Sequence, residues 1–362
     1  MKISTIFILV AVGLIVIGAV LSICAFVVVK FDISRFSLKK YDFTVIEFDE
    51  KITDIKIDTV ESDVTLVLTD SDKCKIECKE NVKTPHTFTL ADGVLSISVE
   101  DNRKITDHIS LLGNDNGQII VYLPEKDFSN LEITNQTGDI SLPKSLSFEN
   151  IKINARTGDV NIDSAVIRDL TVKLTTGDVF IRGADCLSVE ITSTTGDVEL
   201  ENVKSQSFIK VSASTGDIEF TDVECDALYT SASTGEVELK RVNASGDIEI
   251  HGRTNDVVLE KVNAARLKIE LSSGGVTLAD TLTSESIFIK CTTGDIELRR
   301  CDSASLELKT TTGDIKGTFL TPKSFDASAT TGKVTYPKNS TGGACVARAS
   351  TGNITFSFVY YD

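Results

Sequence analysis

Beyond its first forty residues the chain is written in short runs of alternating apolar and polar positions. Ile209, Val211 and Ala213 form one run, Leu267, Ile269 and Leu271 another, and Ile287, Ile289 and Cys291 a third. A period of two sends alternate side chains to opposite faces of an extended strand, so one face of each run is marked for burial. Each run ends at the same polar corner, Thr-Gly-Asp in its commonest form, and a shorter run such as Val198 and Leu200 follows. An apolar residue comes next (Val203, Val223, Val242, Val262 or Cys301). One unit therefore reads as strand, corner, short strand and loose polar turn.

The corner recurs at Gly138, Gly158, Gly177, Gly196, Gly216, Gly235, Asn255, Gly274, Gly294, Gly313, Gly332 and Gly352, with every gap 19 or 20 residues. The residue before it is Thr in eleven copies and Ser273 in the twelfth, and the residue two places after it is Val or Ile in all twelve. A fixed period of this length, with one supersecondary unit per period, marks stacked repeats. The predicted fold is therefore all-β: a single parallel β-solenoid of 19–20 residues per coil, in which no coil buries its apolar face alone. At about 4.8 Å per layer, twelve coils make a rod of roughly 55 Å. Glycine supplies positive φ at the corner, Asn255 is read as its usual substitute, and a right-handed path is the default.

The amino terminus differs in kind. Ile6 to Val29 is an uncharged run of 24 residues, preceded by Lys2 and followed by Lys30. That length spans a hydrocarbon core of about 30 Å, so residues 6–29 are predicted to form one transmembrane helix after a short flank at 1–5. No small-residue cleavage site follows it, as a secretory leader would need. Leu21-Ser22-Ile23-Cys24 resembles a lipobox faintly, with Ile23 where a small residue belongs. Residues 30–49 read as a juxtamembrane linker, 50–125 as irregular first coils and an N-terminal cap, and 126–362 as the regular solenoid. Glu61-Ser62-Asp63-Val64 echoes the corner inside the cap region, Ser245-Gly246-Asp247 reads as a tight turn on the opposite edge, and the aromatic-rich end from Asn353 to Asp362 reads as a strand closing the last coil.

The Thr-Thr-Gly-Asp coils at Thr175–Val179, Thr194–Val198, Thr292–Ile296 and Thr311–Ile315 resemble the bacterial "putative adhesin" β-solenoid family, a domain of unknown function, over about residues 50–362. The resemblance implies a single membrane span and a place at the cell envelope. It implies no catalytic residues. Lys30, Arg35, Lys39 and Lys40 after the span outnumber Lys2 before it, which taken alone favours a cytoplasmic rod. A long domain translocates regardless of such charges, and the resemblance places the solenoid outside the cytoplasm.

Composition narrows the chemistry. The net charge of −16 opposes binding to nucleic acid, whose backbone demands a basic face. The residue after the corner is acidic in nine of twelve copies. Calcium ladders in other β-rolls wrap each ion with several oxygens, whereas one acid per corner suits turn capping; a cation ladder at Asp178, Asp197 and Asp217 is the alternative. The Thr column invites comparison with flat threonine arrays that bind ice, but reads more simply as β-formers bonding neighbouring turns. The eight cysteines read as reduced and structural, since Cys186 and Cys225 stand about two layers apart and Cys74 and Cys78 are too distant along one strand to pair. His86, His108 and His251 are scattered, and none neighbours a nucleophile in a recognisable motif.

The expectation is thus a membrane-anchored, non-catalytic envelope rod without cofactor, offering an adhesion or structural surface to a glycan or protein. One rival is an accessory of an envelope-stress system that docks a membrane partner. The other is a polysaccharide-active β-helix enzyme, for which abundant paired carboxylates are the only argument.

Overall fold

A computed structural model describes residues 41–102, 117–143, 146–163 and 166–359. The predicted anchor at 6–29 lies outside these residues, and among those described no helix is long and apolar enough to cross a membrane.

The repeats stack as layers with their columns in register. Val160 pairs with Val179, Val179 with Val198, Val198 with Ile218, Ile218 with Val237, and Val237 with Val257, all in parallel. Each of these side chains is at most 1% exposed. Fully burying one Val or Ile contributes roughly 1.5–3 kcal/mol, and each layer contributes several, so the stacked columns form one continuous dry interior. β-branched residues suit these positions because their restricted χ1 packs well on a pleated face.

The central coils hold three strand segments rather than two. In one coil these are Phe208–Thr215, residues 218–221 and residues 223–225, the last two lying within Ile218–Cys225. Asp222 separates them at φ 56°. The same left-handed corner recurs at Gly183, Asn202, Arg241, Lys261, Asp280 and Arg300, with φ between 51° and 65°. What the sequence suggested as a loose turn is thus a second regular corner. It is bonded across layers: Asn202 N–H donates to Thr221 O at 3.0 Å and Asp280 N–H to Arg299 O at 2.9 Å. Val203, Val223, Val242, Val262 and Cys301 just beyond it are fully buried. A third bend falls at Ser245 and Gly246, between Ala227–Ala244 and Asp247–Glu260, as expected.

Layer order departs from chain order at both ends. At the carboxyl end, Gly343–Thr351 pairs with Ser305–Thr312 on one side and Lys323–Thr331 on the other. The last coil in sequence is therefore the penultimate layer, and Lys323–Thr331 lies outermost. The C-terminal aromatics do close the rod, but by plugging this interleaved pair: Phe356 lies 5.2 Å from Phe325 and 5.4 Å from Phe319, and Tyr336 lies 5.3 Å from Phe325. At the other end Asp54–Thr69 is inserted between Asp127–Thr137 and an outer layer made of Val94–Val99 and Gly117–Pro124. Its corner at Ser62 supports Gly138 directly.

Antiparallel strands then finish the amino end. Cys74–Asn81 pairs with Gly117–Pro124, and Tyr41–Phe48 pairs with Cys74–Asn81. Residues 41–48 are consequently a strand, not the linker expected over 30–49. Tyr41, Phe43, Val45 and Phe48 supply its β-forming side chains, although Phe43 and Val45 remain exposed.

Candidate functional site

The Gly-Asp edge is the most regular surface of the rod, and its geometry follows from two columns. At Gly177, Gly196, Gly216 and Gly235 φ lies between 126° and 129°, a region closed to L-residues. A Cβ at any of them would meet the carbonyl oxygen of the glycine one layer back at 1.9–2.1 Å. Asn255 is not an equivalent substitute, because its φ is not positive and the strand Asp247–Glu260 runs straight through it. Its side chain turns inward instead, where Nδ2 donates to Gly235 O at 2.8 Å and Oδ1 accepts from Arg253 N–H at 2.9 Å. Gly252 leaves the room, since a Cβ there would meet Asn255 Oδ1 at 2.7 Å. Asn135 does the same at the other irregular layer, donating to the carbonyl oxygens of Ser62 and Gly138.

The acids after the corner are hydrogen-bonded in series. Asp178 N–H donates to Asp159 Oδ1 at 2.9 Å, Asp197 N–H to Asp178 Oδ1 at 2.8 Å, and Asp217 N–H to Asp197 Oδ1 at 2.8 Å. The series continues from Asp295 to Asp314, Asp314 to Asn353 and Asn353 to Lys333. One oxygen of Asp178, Asp197 and Asp217 is therefore already engaged by a backbone donor, as turn capping requires.

Carboxylates do crowd beside this edge. Glu199 pairs with Glu219, and Glu219 with Glu238, in adjacent layers. Partial burial, then the charges of Glu238 and Glu199, raises the Glu219 carboxyl above its ordinary value. Elsewhere charge is balanced between layers: Arg241 grips Asp222 through two hydrogen bonds at 2.6 and 2.7 Å, and Arg266 grips Asp247 with two at 2.7 Å.

On the other flank of the corner, the Thr column is exposed in all eleven of its Thr positions. Among the described residues these hydroxyls form no hydrogen bond with neighbouring turns, contrary to expectation. The column beside it adds Thr175, Thr194, Ser214, Ser233, Ser272 and Thr292, also exposed. Two adjacent rows of hydroxyls thus run along the rod at the layer spacing, about 4.8 Å.

The cysteines and histidines resolve differently. Seven described cysteines are free and buried. Burial pushes the thiols of Cys186, Cys225 and Cys345 up to about 12, which leaves them inert. His108 lies outside the described residues. His251 stands half-exposed between Glu249 and Glu270, 3.5 Å from each. His86 is buried with Cys78 and Glu80, a meeting that sequence reading missed; the alternation of Cys78 and Glu80 on one strand face was its only trace. Burial pushes the Cys78 thiol up to about 12, with Glu80 adding to the effect, so without a cation beside it the thiol keeps its proton.

Residues 52–209 and 205–354 match the Toastrack DUF4097 family in two successive stretches. The chain belongs to that family. The second match begins within the first, as a uniform stack of coils allows. Among solved structures, this Toastrack chain is similar to a "putative adhesin" from Bacteroides fragilis, at 14% identity over 66% of this chain and 97% of that one, with a TM-score of 0.41. A "putative cell adhesion protein" from Clostridium sporogenes matches at 11% identity over 89% and 100%, with a TM-score of 0.19. A "putative lipid binding protein" from Parabacteroides distasonis matches at 12% over 87% and 96%, with a TM-score of 0.24. Overlaps this loose carry no functional argument. No match was found among the curated proteins.

Proposed function

We propose that this Toastrack chain is a non-catalytic rod of the cell envelope, tethered through residues 6–29 and standing outside the cytoplasm, whose hydroxyl-lined edge adheres to a polyhydroxylated surface such as a glycan. The observation that carries this reading is the unengaged double row of Thr and Ser beside the Gly-Asp corner. A hydroxyl donates one hydrogen bond and accepts two, so a repeating row with no internal partners suits a repeating polar ligand. Many weak contacts at fixed spacing then act together by raising the effective concentration of each next contact. The anchor would enter the rod at its antiparallel cap, leaving the aromatic-plugged end distal.

The test is binding of the purified full chain to a panel of envelope and host glycans, alongside a Thr195→Lys, Thr215→Lys, Thr234→Lys triple variant. The sites are exposed but in register, so the variant should stay folded with only a small loss in thermal unfolding from repulsion between the stacked lysines, while binding falls at least tenfold. Equal binding by the triple variant, or none by the wild type, would defeat the proposal. Protease accessibility on intact cells tests sidedness independently.

A further inference from the structure

The cap that finishes the amino end holds the one place, among the described residues, where three metal-ligating side chains converge: Cys78, Glu80 and His86. Cys78 and Glu80 alternate on the strand Cys74–Asn81, so both point to one face. His86 opens the next strand, His86–Ala91, and the turn between brings its ring back over them. The turn is fixed by Thr84 N–H donating to Asn81 O at 2.8 Å, and by His86 N–H donating to Glu80 Oε2 at 2.5 Å.

The distances fit a tetrahedral metal centre. Cys78 Sγ lies 3.8 Å from His86 Nδ1 and 3.9 Å from Glu80 Oε2, and Nδ1 lies 3.0 Å from Oε2. Zinc bonds of about 2.3 Å to sulfur, 2.0 Å to nitrogen and 2.0 Å to oxygen place such ligands about 3.5, 3.5 and 3.3 Å apart at tetrahedral angles. Each observed separation is within about 0.4 Å of its counterpart.

The shell behind the ligands is also in place. His86 Nε2 lies 3.0 Å from Thr59 Oγ1, which is 1% exposed. A ring that donates through Nε2 to Thr59 presents its Nδ1 lone pair to the cluster, as a metal-bound histidine does. Charge agrees. A thiolate, a carboxylate and a neutral imidazole sum to −2, so a divalent cation leaves this buried group neutral, which is the condition for burying charge at low cost. Sulfur and nitrogen ligands exclude calcium and magnesium and select a borderline transition metal.

We propose that Cys78, Glu80 and His86 bind one zinc ion, with Thr59 positioning the histidine and a water in the fourth place. Binding forms a zinc–sulfur bond as the Cys78 thiol releases its proton to solvent; the proton held between Glu80 Oε2 and His86 Nδ1 is also released, the ring keeps one proton at Nε2 facing Thr59, and Oε2 and Nδ1 each bond to the metal. The ion would pin two cap strands to each other and to the inserted layer that carries Thr59.

The experiment uses the full chain in detergent, stripped with a chelator. Cobalt titration should saturate at one ion per chain, with a thiolate-to-cobalt charge-transfer band that zinc abolishes. Cys78→Ser should lose that band and bind zinc at least a hundredfold more weakly, while Cys225→Ser keeps both; Thr59→Val should weaken binding about tenfold. If Cys78→Ser fails to fold, X-ray absorption of zinc-loaded wild type decides, because this site requires one sulfur among its nearest neighbours. No uptake by wild type, a first shell without sulfur, or full affinity in folded Cys78→Ser would each overturn the proposal.

Discussion

At Gly196 two constraints coincide: φ is 126°, and a Cβ would sit 1.9 Å from the carbonyl oxygen of Gly177. Gly196→Ala must therefore strain its own backbone and push two layers apart, and should cost about 3 kcal/mol or more. Lys261 makes the opposite case at φ 56°, in the ordinary left-handed region, so Lys261→Gly should change stability by less than about 1 kcal/mol. Denaturant unfolding of the two variants separates a glycine needed for close approach from a turn that merely favours one. Thr230 carries a different cost. It replaces an aliphatic residue between Val211 and Ile250, and its buried hydroxyl has no partner. Thr230→Val keeps the shape and removes the orphan, and should stabilise the rod by about 1 kcal/mol in the same measurement.

At the scale of one coil, the Asp ladder is held by acceptor geometry rather than by charge. Asn353 performs the same task between Asp314 and Lys333 with an amide oxygen. Asp197→Asn should accordingly leave the unfolding midpoint nearly unchanged, whereas Asp197→Ala frees the Asp217 N–H and should cost about 1 kcal/mol. A cation ladder would invert that order in the presence of the ion, because the amide lacks the charge. The neighbouring carboxylate stack makes a pH prediction. The Glu219 carboxyl is raised in the folded state above its ordinary 4.5, so its ionisation opposes folding. That penalty is full above the folded-state pKa and disappears as the pH falls to 4.5. Glu219→Gln should raise the melting temperature at neutral pH, with the gain shrinking to nothing in acid.

The coil itself was readable because its rules are local columns: Val or Ile two after the corner, Thr one before, alternation on the approach. The second corner escaped because its column mixes Asn202, Asp222, Arg241 and Lys261. These residues share only a tolerance for the surface, and Arg and Lys, unlike Asn and Asp, are not enriched at positive φ. The zinc ligands were hidden for another reason. Cys78 and Glu80 look like any alternation, and His86 joins them only through a turn.

For the whole molecule, periodicity says that coils stack but not which coil lies on which. Every layer presents nearly the same columns, so Gly313 can meet Gly352 as readily as Gly332, and nearest-neighbour packing alone does not fix layer order. The ends settle it. Outermost Lys323–Thr331 carries the buried Lys323, whose ammonium donates to Asp302, to Ser303 O at 2.7 Å and to Thr321 Oγ1 at 2.9 Å. Phe325 meanwhile supplies the centre of the aromatic plug over Phe356. The aromatic contact needs the later coil beneath the earlier one, and the Lys323 contacts fasten that outer coil to the layer before it. A sharp consequence concerns truncation after residue 342. In a rod stacked in chain order, this would remove one terminal layer and leave 323–335 on its predecessor. In this structure it removes the layer on which 323–335 rests, together with Phe356 and Phe358. Hydrogen exchange on the truncated chain should show residues 323–335 losing protection outright while 196–298 retain theirs. Protected amides at 326–331 would mean that this coil seats on Ser305–Thr312 without the later one, so that the contacts at the end do not hold the interleaved order.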